Sequence, residues 1–209
     1  MSESLNLDVP SPIDLKDQAE AEKWAQETNI KRPWRYAFFQ CYSQIIQDNK
    51  AIRILEIGAG PGFLAEYLLS QHSEIQYTAV DFSEAMHHLS QNRLDETSRQ
   101  RIHYIVADFK QAEWHKTLDD SSCDMIIIHQ ALHELRHKQY AVDFHKTIKK
   151  LLKENAVYLV CDHLYAENAM QNNQLYMSKE EHLKAFEQAG FLESQIILNF
   201  KGLCLFKCL

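Results

Sequence analysis

The chain has 209 residues, of which 45% are hydrophobic and 24% are charged, and its formal net charge is −7. This length and apolar content are sufficient for one domain with a sizeable core, and no stretch rich in Gly, Ser or Pro divides the chain. The acidic balance argues against nucleic acid or an anionic membrane as a partner, because either needs a basic patch.

The chain also lacks the patterns of an exported or membrane-bound protein. No apolar run approaches the ~20 residues needed to cross a bilayer, and the N-terminus lacks a basic stretch followed by an apolar one. The five cysteines form neither a disulfide framework nor a CxxC pair, which suits a reducing compartment. We therefore expect a cytoplasmic protein with no membrane partner, whose oligomeric state the sequence leaves open.

Taken in chain order, a polar segment to about residue 14 precedes a helix predicted near 15–28, and Pro33 begins a second helix. Strand and helix patterns then alternate. The strands are predicted at 52–57, 75–80, 102–107, 124–128 and 156–161, and the helices at 63–71, 83–94, 139–152 and 179–189. Such alternation predicts a parallel sheet with right-handed crossovers. Two final strand-like runs, 191–199 and 202–208, predict a hairpin whose strands are antiparallel.

The most informative stretch is residues 53–69, where an apolar strand pattern continues through spaced glycines into a helix pattern. Gly58, Gly60 and Gly62 stand at every second position, so the backbone can turn sharply and a ligand can approach without meeting a Cβ atom. Asp81 ends the second strand, where an acidic side chain accepts hydrogen bonds from ribose hydroxyls. Together the two elements predict a nucleoside-binding site.

The spacing of the glycines indicates which nucleoside is bound. The dinucleotide pattern G-x-G-x-x-G requires a glycine where this chain has Phe63, so a pyrophosphate is disfavoured. Glu56 agrees, because a carboxylate beside the turn repels a diphosphate but can orient the loop or contact an ammonium group. The resulting E-x-G-x-G-x-G motif resembles the first motif of class I S-adenosylmethionine-dependent methyltransferases.

This resemblance covers roughly residues 34–209 and implies S-adenosylmethionine as the cofactor. It also implies an α/β, Rossmann-like, doubly wound fold, in which a seven-stranded sheet is mostly parallel and has an antiparallel C-terminal hairpin strand. Asp108, after the third strand, matches the carboxylate that contacts the adenine amino group in these enzymes. By the same resemblance we place three further residues at the cofactor: Phe82, Phe109 and His129. Residues 1–33 are then an N-terminal extension that serves as a lid or cap.

A second motif competes with this interpretation. His133-Glu134-Leu135-Arg136-His137 satisfies H-E-x-x-H, in which two histidines one helical turn apart bind zinc and the glutamate is the general base. A zinc peptidase is therefore an alternative. The motif begins only five residues after the apolar strand that ends at Ile128, however, which predicts a short turn instead of a long helix. A peptidase would also leave the glycines and Asp81 unexplained.

Within a methyltransferase, the same histidines acquire a different role. The carboxyl ends of strands four and five are neighbours at the ligand crevice of a doubly wound sheet, so His129 and His133 should meet Asp162 and His163 there. An imidazole is a suitable general base near neutral pH, which makes His129, His133 and His163 candidate catalytic residues. Two alternatives stay open, namely a histidine that only hydrogen-bonds its loop and a metal held by these donors, although we assign no metal. The other histidines are expected to be solvated: His72, His87, His88, His103, His115, His145 and His182.

The sequence excludes some methyl acceptors but does not identify the acceptor. All four prolines precede the fourth strand, so the Asn-Pro-Pro-aromatic tetrapeptide of enzymes that methylate adenine or glutamine nitrogen cannot follow it. We therefore favour a small-molecule acceptor, attacked at O, N, S or C. Four residues before and at the second helix are candidate lid groups, with a core role as the alternative for Trp34: Arg32, Trp34, Arg35 and Tyr36. A non-catalytic protein that binds S-adenosylmethionine is the alternative function.

Overall fold

The structure, a computed structural model, describes residues 8–167 and 169–209. Its helices are α1 (Gln18–Lys31), α2 (Tyr36–Asn49), α3 (Phe63–Gln71), α4 (Glu84–Arg93), α5 (Glu96–Arg99), α6 (Ala141–Leu151) and α7 (Lys179–Gln188). Its strands are β1 (Arg53–Ile57), β2 (Gln76–Asp81), β3 (Ile102–Val106), β4 (Cys123–His129), β5 (Leu152–His163), β6 (Ser194–Phe200) and β7 (Leu203–Cys208). Short 3-10 turns lie at Pro33–Arg35, Leu132–Leu135 and Lys138–Tyr140.

The seven strands form one sheet in the order β3-β2-β1-β4-β5-β7-β6. The first five strands pair in parallel, whereas β7 is antiparallel to both β5 and β6. The strand order reverses between β1 and β4, which is where open α/β sheets bind their ligands. The predicted fold class is confirmed, including the antiparallel C-terminal strand.

Both faces of the sheet are covered, as a parallel sheet requires. In β4, Ile126 and Ile128 pack in the layer that contains α6 and α7. Met125 and Ile127 alternate with them and pack against α2 and α3 on the opposite face. The alternation places residues of one strand in two separate core layers and fixes the register of the strand.

The junction between α6 and β5 differs most from the predictions. The fifth strand begins at Leu152, earlier than expected, and the helix before it ends at Leu151. Asn155 has a left-handed backbone with φ 62° and lies inside β5. The β4–β5 register shifts between Cys123 and Met125, so Asn155 adjoins an irregular stretch of the ladder.

The expectation that the remaining histidines are solvated is wrong for three of them. His87, His145 and His182 are at most 3% exposed. His145 accepts or donates a hydrogen bond with Tyr158 at 3.0 Å, and His182 stacks on Phe206. Each of these histidines lies on the inward face of its helix. The residue type alone does not predict this position, because histidine is polar.

The N-terminal residues lie against the same domain. Ala21 of α1 packs against Ala85 and Met86 of α4, and Trp24 lies beside them. Trp34 is partly buried against the core layer of α2 and contacts Phe200 edge to face, which favours its core role. No helix in the described part of the chain is long and apolar enough to cross a membrane.

Candidate active site

A cavity of about 550 Å³ opens at the carboxyl ends of the central strands. Seven of the predicted site residues line it: Gly58, Gly60, Asp81, Phe82, Phe109, His133 and His163. A neighbouring groove shares Phe82 and Phe109 with this cavity and adds Asp108. The carboxyl ends of β1, β2, β4 and β5 therefore bring the two predicted clusters, glycines and histidines, to one place.

The three positions require glycine for different structural reasons. All three adopt positive φ angles, which residues with a Cβ atom rarely adopt. A Cβ at Gly58 would lie 2.3 Å from Cβ of Ala131, and one at Gly62 would lie 2.1 Å from Oγ of Ser90. A Cβ at Gly60 would meet no atom within 4 Å. Gly58 and Gly62 thus permit close packing, whereas Gly60 borders open space in the cavity.

Asp81 fixes the glycine loop while lining the cavity. Its Oδ2 accepts a hydrogen bond from the backbone N–H of Gly60 at 2.8 Å, and its Oδ1 accepts one from that of Ser83 at 3.0 Å. Burial raises the pKa of this carboxyl, and the two backbone hydrogen bonds oppose the rise. Each carboxylate oxygen can accept a further bond, so both remain able to bind the hydroxyls of a ribose.

Three predicted cofactor residues line neither the cavity nor the neighbouring groove: Glu56, Gly62 and His129. Glu56 is buried below the loop and accepts a hydrogen bond from the Tyr77 hydroxyl at 2.9 Å. Burial raises the pKa of Glu56 to about 8, so this carboxyl is protonated near pH 7. These contacts give Glu56 a place in supporting the loop from within β1.

His129 points to the opposite side of β4, toward α2. Its Nδ1 lies 2.9 Å from the Tyr42 hydroxyl, and the rings of Phe38 and Phe39 flank it. Burial, together with the nearby Arg35, lowers the pKa of His129 to about 3. An imidazole this weak and this enclosed is a poor candidate for a general base.

His133 and Asp162 form the strongest polar pair at the cavity. Nδ1 of His133 lies 2.7 Å from Oδ1 of Asp162, and the backbone N–H of His133 donates to Oδ2 at 2.8 Å. Burial alone would lower the pKa of His133, but the carboxylates of Asp162 and Glu134 raise it above its ordinary value. Burial alone would raise the pKa of Asp162, but His133 and His163 hold it at about 2.

This geometry fixes the proton positions in the pair. An ionised carboxylate can only accept hydrogen bonds, so in the neutral imidazole Nδ1 of His133 is the protonated nitrogen and Nε2, which lies 3.5 Å from Oε1 of Glu134, carries the lone pair. The cavity-facing histidine is therefore oriented by a carboxylate and has a basic nitrogen available, which is the arrangement of a positioned general base.

His163 is arranged differently although it adjoins the same carboxylate. Its backbone N–H donates to Oδ1 of Asp162 at 2.8 Å, and its Nε2 lies 3.1 Å from the side-chain amide nitrogen of Gln130. An amide nitrogen donates, so the lone pair of this imidazole is occupied. Burial lowers the pKa of His163 to about 4. Of the three candidate bases, His133 fits the role best.

The H-E-x-x-H motif does not form a zinc-binding helix. Leu132–Leu135 is a 3-10 turn that ends at Arg136, whose φ is 65°. His137 is extended beyond it, and its Nδ1 accepts a hydrogen bond from the backbone N–H of Gln139. Within the described residues, no three His, Cys, Asp or Glu side chains are placed to hold a metal ion.

Two further segments line the cavity. Residues 9–13 and Leu15, within the segment predicted as a lid, line one side, where Arg136 donates from Nε to the carbonyl of Val9 and from Nη2 to that of Pro10. The hydroxyl of Ser83 donates to the carbonyl of Leu15. The loop after β5 contributes Tyr176, whose ring contacts both His133 and His163.

The sheet order and the glycine loop define a Rossmann-like fold, and comparison with known proteins narrows the class. Residues 54–155 match the family model described as a methyltransferase domain. The chain is 29% identical over 102 residues to malonyl-(acyl-carrier protein) O-methyltransferase of Paenibacillus sp. (strain JDR-2), which covers 49% of this chain and 35% of that protein. The chain spans about a third of the length of the curated relatives that it matches.

Solved structures agree in fold. Human N-acetylserotonin methyltransferase, determined in complex with S-adenosylmethionine, matches with a TM-score of 0.70 and 14% identity, over 93% of this chain and 56% of that one. An S-adenosylmethionine-dependent methyltransferase from Aquifex aeolicus matches with a TM-score of 0.69 and 16% identity, over 92% and 97% of the two chains. Residues 54–155 accordingly match a methyltransferase domain, and the chain has the fold of the class I, S-adenosylmethionine-dependent methyltransferases.

Proposed function

We propose that this protein transfers the methyl group of S-adenosylmethionine to a hydroxyl oxygen of a small-molecule acceptor, with His133 as the general base. The observation that carries the proposal is the His133–Asp162 pair, whose histidine lines the same cavity as Gly60 and Asp81. A hydroxyl is a weak nucleophile until its proton is removed, and a carboxylate-oriented imidazole is suited to remove it.

The cofactor supplies an electrophilic methyl group on a sulfonium. With the cofactor bound, His133 would accept the proton of the acceptor hydroxyl at Nε2 as that methyl group is transferred to the oxygen. Asp162 holds the imidazole in the required tautomer and stabilises the imidazolium that results. His163 and Gln130, hydrogen-bonded to each other, complete the polar wall beside the base.

The remaining residues are assigned to the cofactor. We propose that Asp81 binds the ribose hydroxyls, that Gly58 and Gly60 allow the methionine end to approach, and that Asp108 contacts the adenine amino group. Phe82 and Phe109 line both the cavity and the adjoining groove, which suits them to pack against the adenine ring. Gly62, Glu56 and His129 support the loop and strand ends without lining the cavity.

We also propose that residues 1–33 form the lid of this site. Of this segment the structure describes residues 8–33, and residues 9–13, Leu15, Trp24 and Arg32 line the cavity. The lid is joined to the domain through the backbone of Val9 and Pro10, which Arg136 holds.

A second acceptor class follows from the curated relatives, which are malonyl-(acyl-carrier protein) O-methyltransferases. A carboxylate acceptor is already deprotonated at neutral pH and needs no base. The two classes therefore differ in how strongly turnover depends on His133, which makes this residue the natural test.

The test measures transfer of a labelled methyl group from S-adenosylmethionine to a panel of alcohols, phenols and carboxylic acids. His133→Asn should reduce turnover of hydroxyl acceptors roughly 10²–10⁴-fold while cofactor affinity stays near that of the wild type. His163→Asn, a matched change beside the same carboxylate, should reduce turnover less than about tenfold. Turnover confined to carboxylic acids and indifferent to His133 would instead support the second class.

Cofactor binding without turnover of any acceptor would contradict the proposal and support a non-catalytic protein of the same fold. The same panel therefore separates all three possibilities, provided that each variant is shown by circular dichroism and thermal melting to be folded.

A further inference from the structure

The charged residues that line the cavity are almost all committed to protein partners. Four carry a formal charge: Arg32, Asp81, Glu134 and Arg136. Arg136 pairs with Glu134 at 3.1 Å and holds two backbone carbonyls, and Asp81 accepts two backbone N–H groups. The guanidinium of Arg32 makes no hydrogen bond or ion pair with any residue that the structure describes. Among the charged residues that line the cavity, Arg32 is thus the one whose charge is not paired with a described residue.

The position of Arg32 is fixed by its backbone. It follows the last residue of α1, and its N–H donates to the carbonyl of Thr28, which ends the helix. Pro33 comes next and begins the turn that leads into α2. The side chain therefore projects from a rigid corner, and it lines the cavity near His163 and Tyr176.

None of the acidic residues that the structure describes forms an ion pair with Arg32. The side chain is half-buried, and burial lowers the pKa of the guanidinium, an effect that Tyr176 and Asp162 oppose. The carboxylate of Asp162 already accepts two hydrogen bonds from His133 and one from His163. A partly desolvated guanidinium with no partner is unfavourable in the free protein, and an anionic ligand relieves this.

We propose that Arg32 is a carboxylate-binding residue of the cavity. A guanidinium presents two parallel N–H donors that match the two oxygens of a carboxylate. A phosphate site of this fold uses backbone N–H groups of a glycine loop instead. In this protein the N–H of Gly60 already donates to the carboxylate of Asp81. One guanidinium balances one negative charge, which fits a carboxylate better than a dianion.

This inference rests on the proposed function, and two ligands can supply the carboxylate. One is the α-carboxylate at the methionine end of S-adenosylmethionine, and the other is a carboxylate of the acceptor. Both belong to the same cavity, so the chemistry is shared and only an experiment that varies each ligand separately identifies the source.

The experiment compares wild-type protein with Arg32→Gln by calorimetry. The cofactor arm titrates S-adenosylmethionine and decarboxylated S-adenosylmethionine, which lacks only the carboxylate. The acceptor arm titrates the malonyl and acetyl thioesters of N-acetylcysteamine into protein saturated with S-adenosylhomocysteine, a pair that differs in one carboxylate. Lys31→Gln is the matched control, because Lys31 is the preceding residue, has the same charge and is exposed where it pairs with Glu27.

We expect Arg32→Gln to weaken binding of one carboxylate-bearing ligand about ten- to a hundredfold, while its partner that lacks the carboxylate is bound as before. Loss of preference in the first arm assigns the cofactor carboxylate, and loss in the second assigns that of the acceptor. Arg32→Lys should restore part of the preference. The melting temperature of unliganded Arg32→Gln should equal or exceed that of the wild type, because an unpaired, partly buried charge is removed.

A wild type that shows no preference for a carboxylate in either arm would overturn the assignment, as would a preference that survives Arg32→Gln. An equal loss in Lys31→Gln would also overturn it, since the effect would then be general electrostatics. Failure of the wild type to bind either form of the cofactor is a different result, which contradicts the proposed function itself.

Discussion

Substitution of Gly60 by alanine should weaken cofactor binding more than it lowers the stability of the protein. The left-handed backbone at this residue, with φ 54°, disfavours alanine by roughly 1–2 kcal/mol. The new Cβ would meet no protein atom within 4 Å, so no steric clash adds to this. A domain of this size loses about 2–4 °C in Tm per kcal/mol, so Tm should fall by roughly 2–8 °C.

The affinity for S-adenosylmethionine should be affected more strongly than the stability, because the added methyl group would occupy space that the cofactor needs. Intrusion of one methyl group into a packed interface costs about 1–3 kcal/mol, so S-adenosylmethionine should bind roughly 5- to 160-fold more weakly to Gly60→Ala. Calorimetry measures the affinity and differential scanning fluorimetry the Tm.

Gly202→Ala is the matched control. Gly202 also has a positive φ, of 80°, and also has no atom within 4 Å of an added Cβ, but it lies in the turn between β6 and β7, outside the cavity. This variant should lose a similar few degrees in Tm and bind the cofactor normally. Gly62→Ala should lose more stability than either, because its Cβ would collide with Ser90. Wild-type affinity in Gly60→Ala would refute the placement of the cofactor against this loop.

Three further predictions concern the carboxylate and the histidines. Asp162→Asn removes the anion that raises the pKa of His133, so the inflection in a kcat–pH profile should move to lower pH and turnover should drop roughly 10²–10⁴-fold; an unmoved inflection would exclude the pair from proton transfer. His137→Ala should retain methyl transfer within a few-fold, and metal analysis of the purified protein should find no tightly bound zinc; stoichiometric zinc that disappears in this variant would restore the peptidase alternative. The pKa of buried His145 is lowered to about 3, so this histidine stays neutral in the folded protein at mildly acidic pH. In the unfolded chain it binds a proton below about pH 6.5, and its contribution therefore destabilises the folded state as the pH falls. Urea unfolding between pH 6 and 4.5 should therefore show a slope lower by about 1.4 kcal/mol per pH unit in His145→Gln than in the wild type, and equal slopes would show that His145 is protonated in the folded protein.

The parts of the fold that the sequence predicted are those with a local physical signature. The apolar run before Gly58, the alternating glycines and the helix pattern after Phe63 are all determined by neighbouring residues, and each element appears where expected. The meeting of His133 with Asp162 depended on one non-local rule, that adjacent parallel strands end at the same edge. That rule brought residues 29 positions apart into hydrogen-bonding distance.

The parts that could not be predicted depend on how elements pack. The loop that carries Tyr176 has no hydrophobic period, so nothing in its sequence indicated that it lines the cavity. Residues 9–15 fall within the segment 1–33 that was predicted as a lid, but no pattern indicated which of its residues reach the cavity. His145 and His182 are polar residues on inward helix faces, and their burial follows from the packing of α6 and α7 against β5 and β7. His129 was placed at the cofactor because it ends β4, but side chains alternate along a strand, and its ring faces α2.

The central claim, that this cavity binds S-adenosylmethionine through the glycine loop and Asp81, is tested most directly by titrating the cofactor into the wild type and into Asp81→Ala. Two hydrogen bonds from ribose hydroxyls to a charged carboxylate contribute about 1.5–3 kcal/mol each. We predict one cofactor bound per wild-type chain and at least about tenfold weaker binding to a folded Asp81→Ala variant. Equal affinity in the two proteins, or no binding to the wild type, would contradict the account.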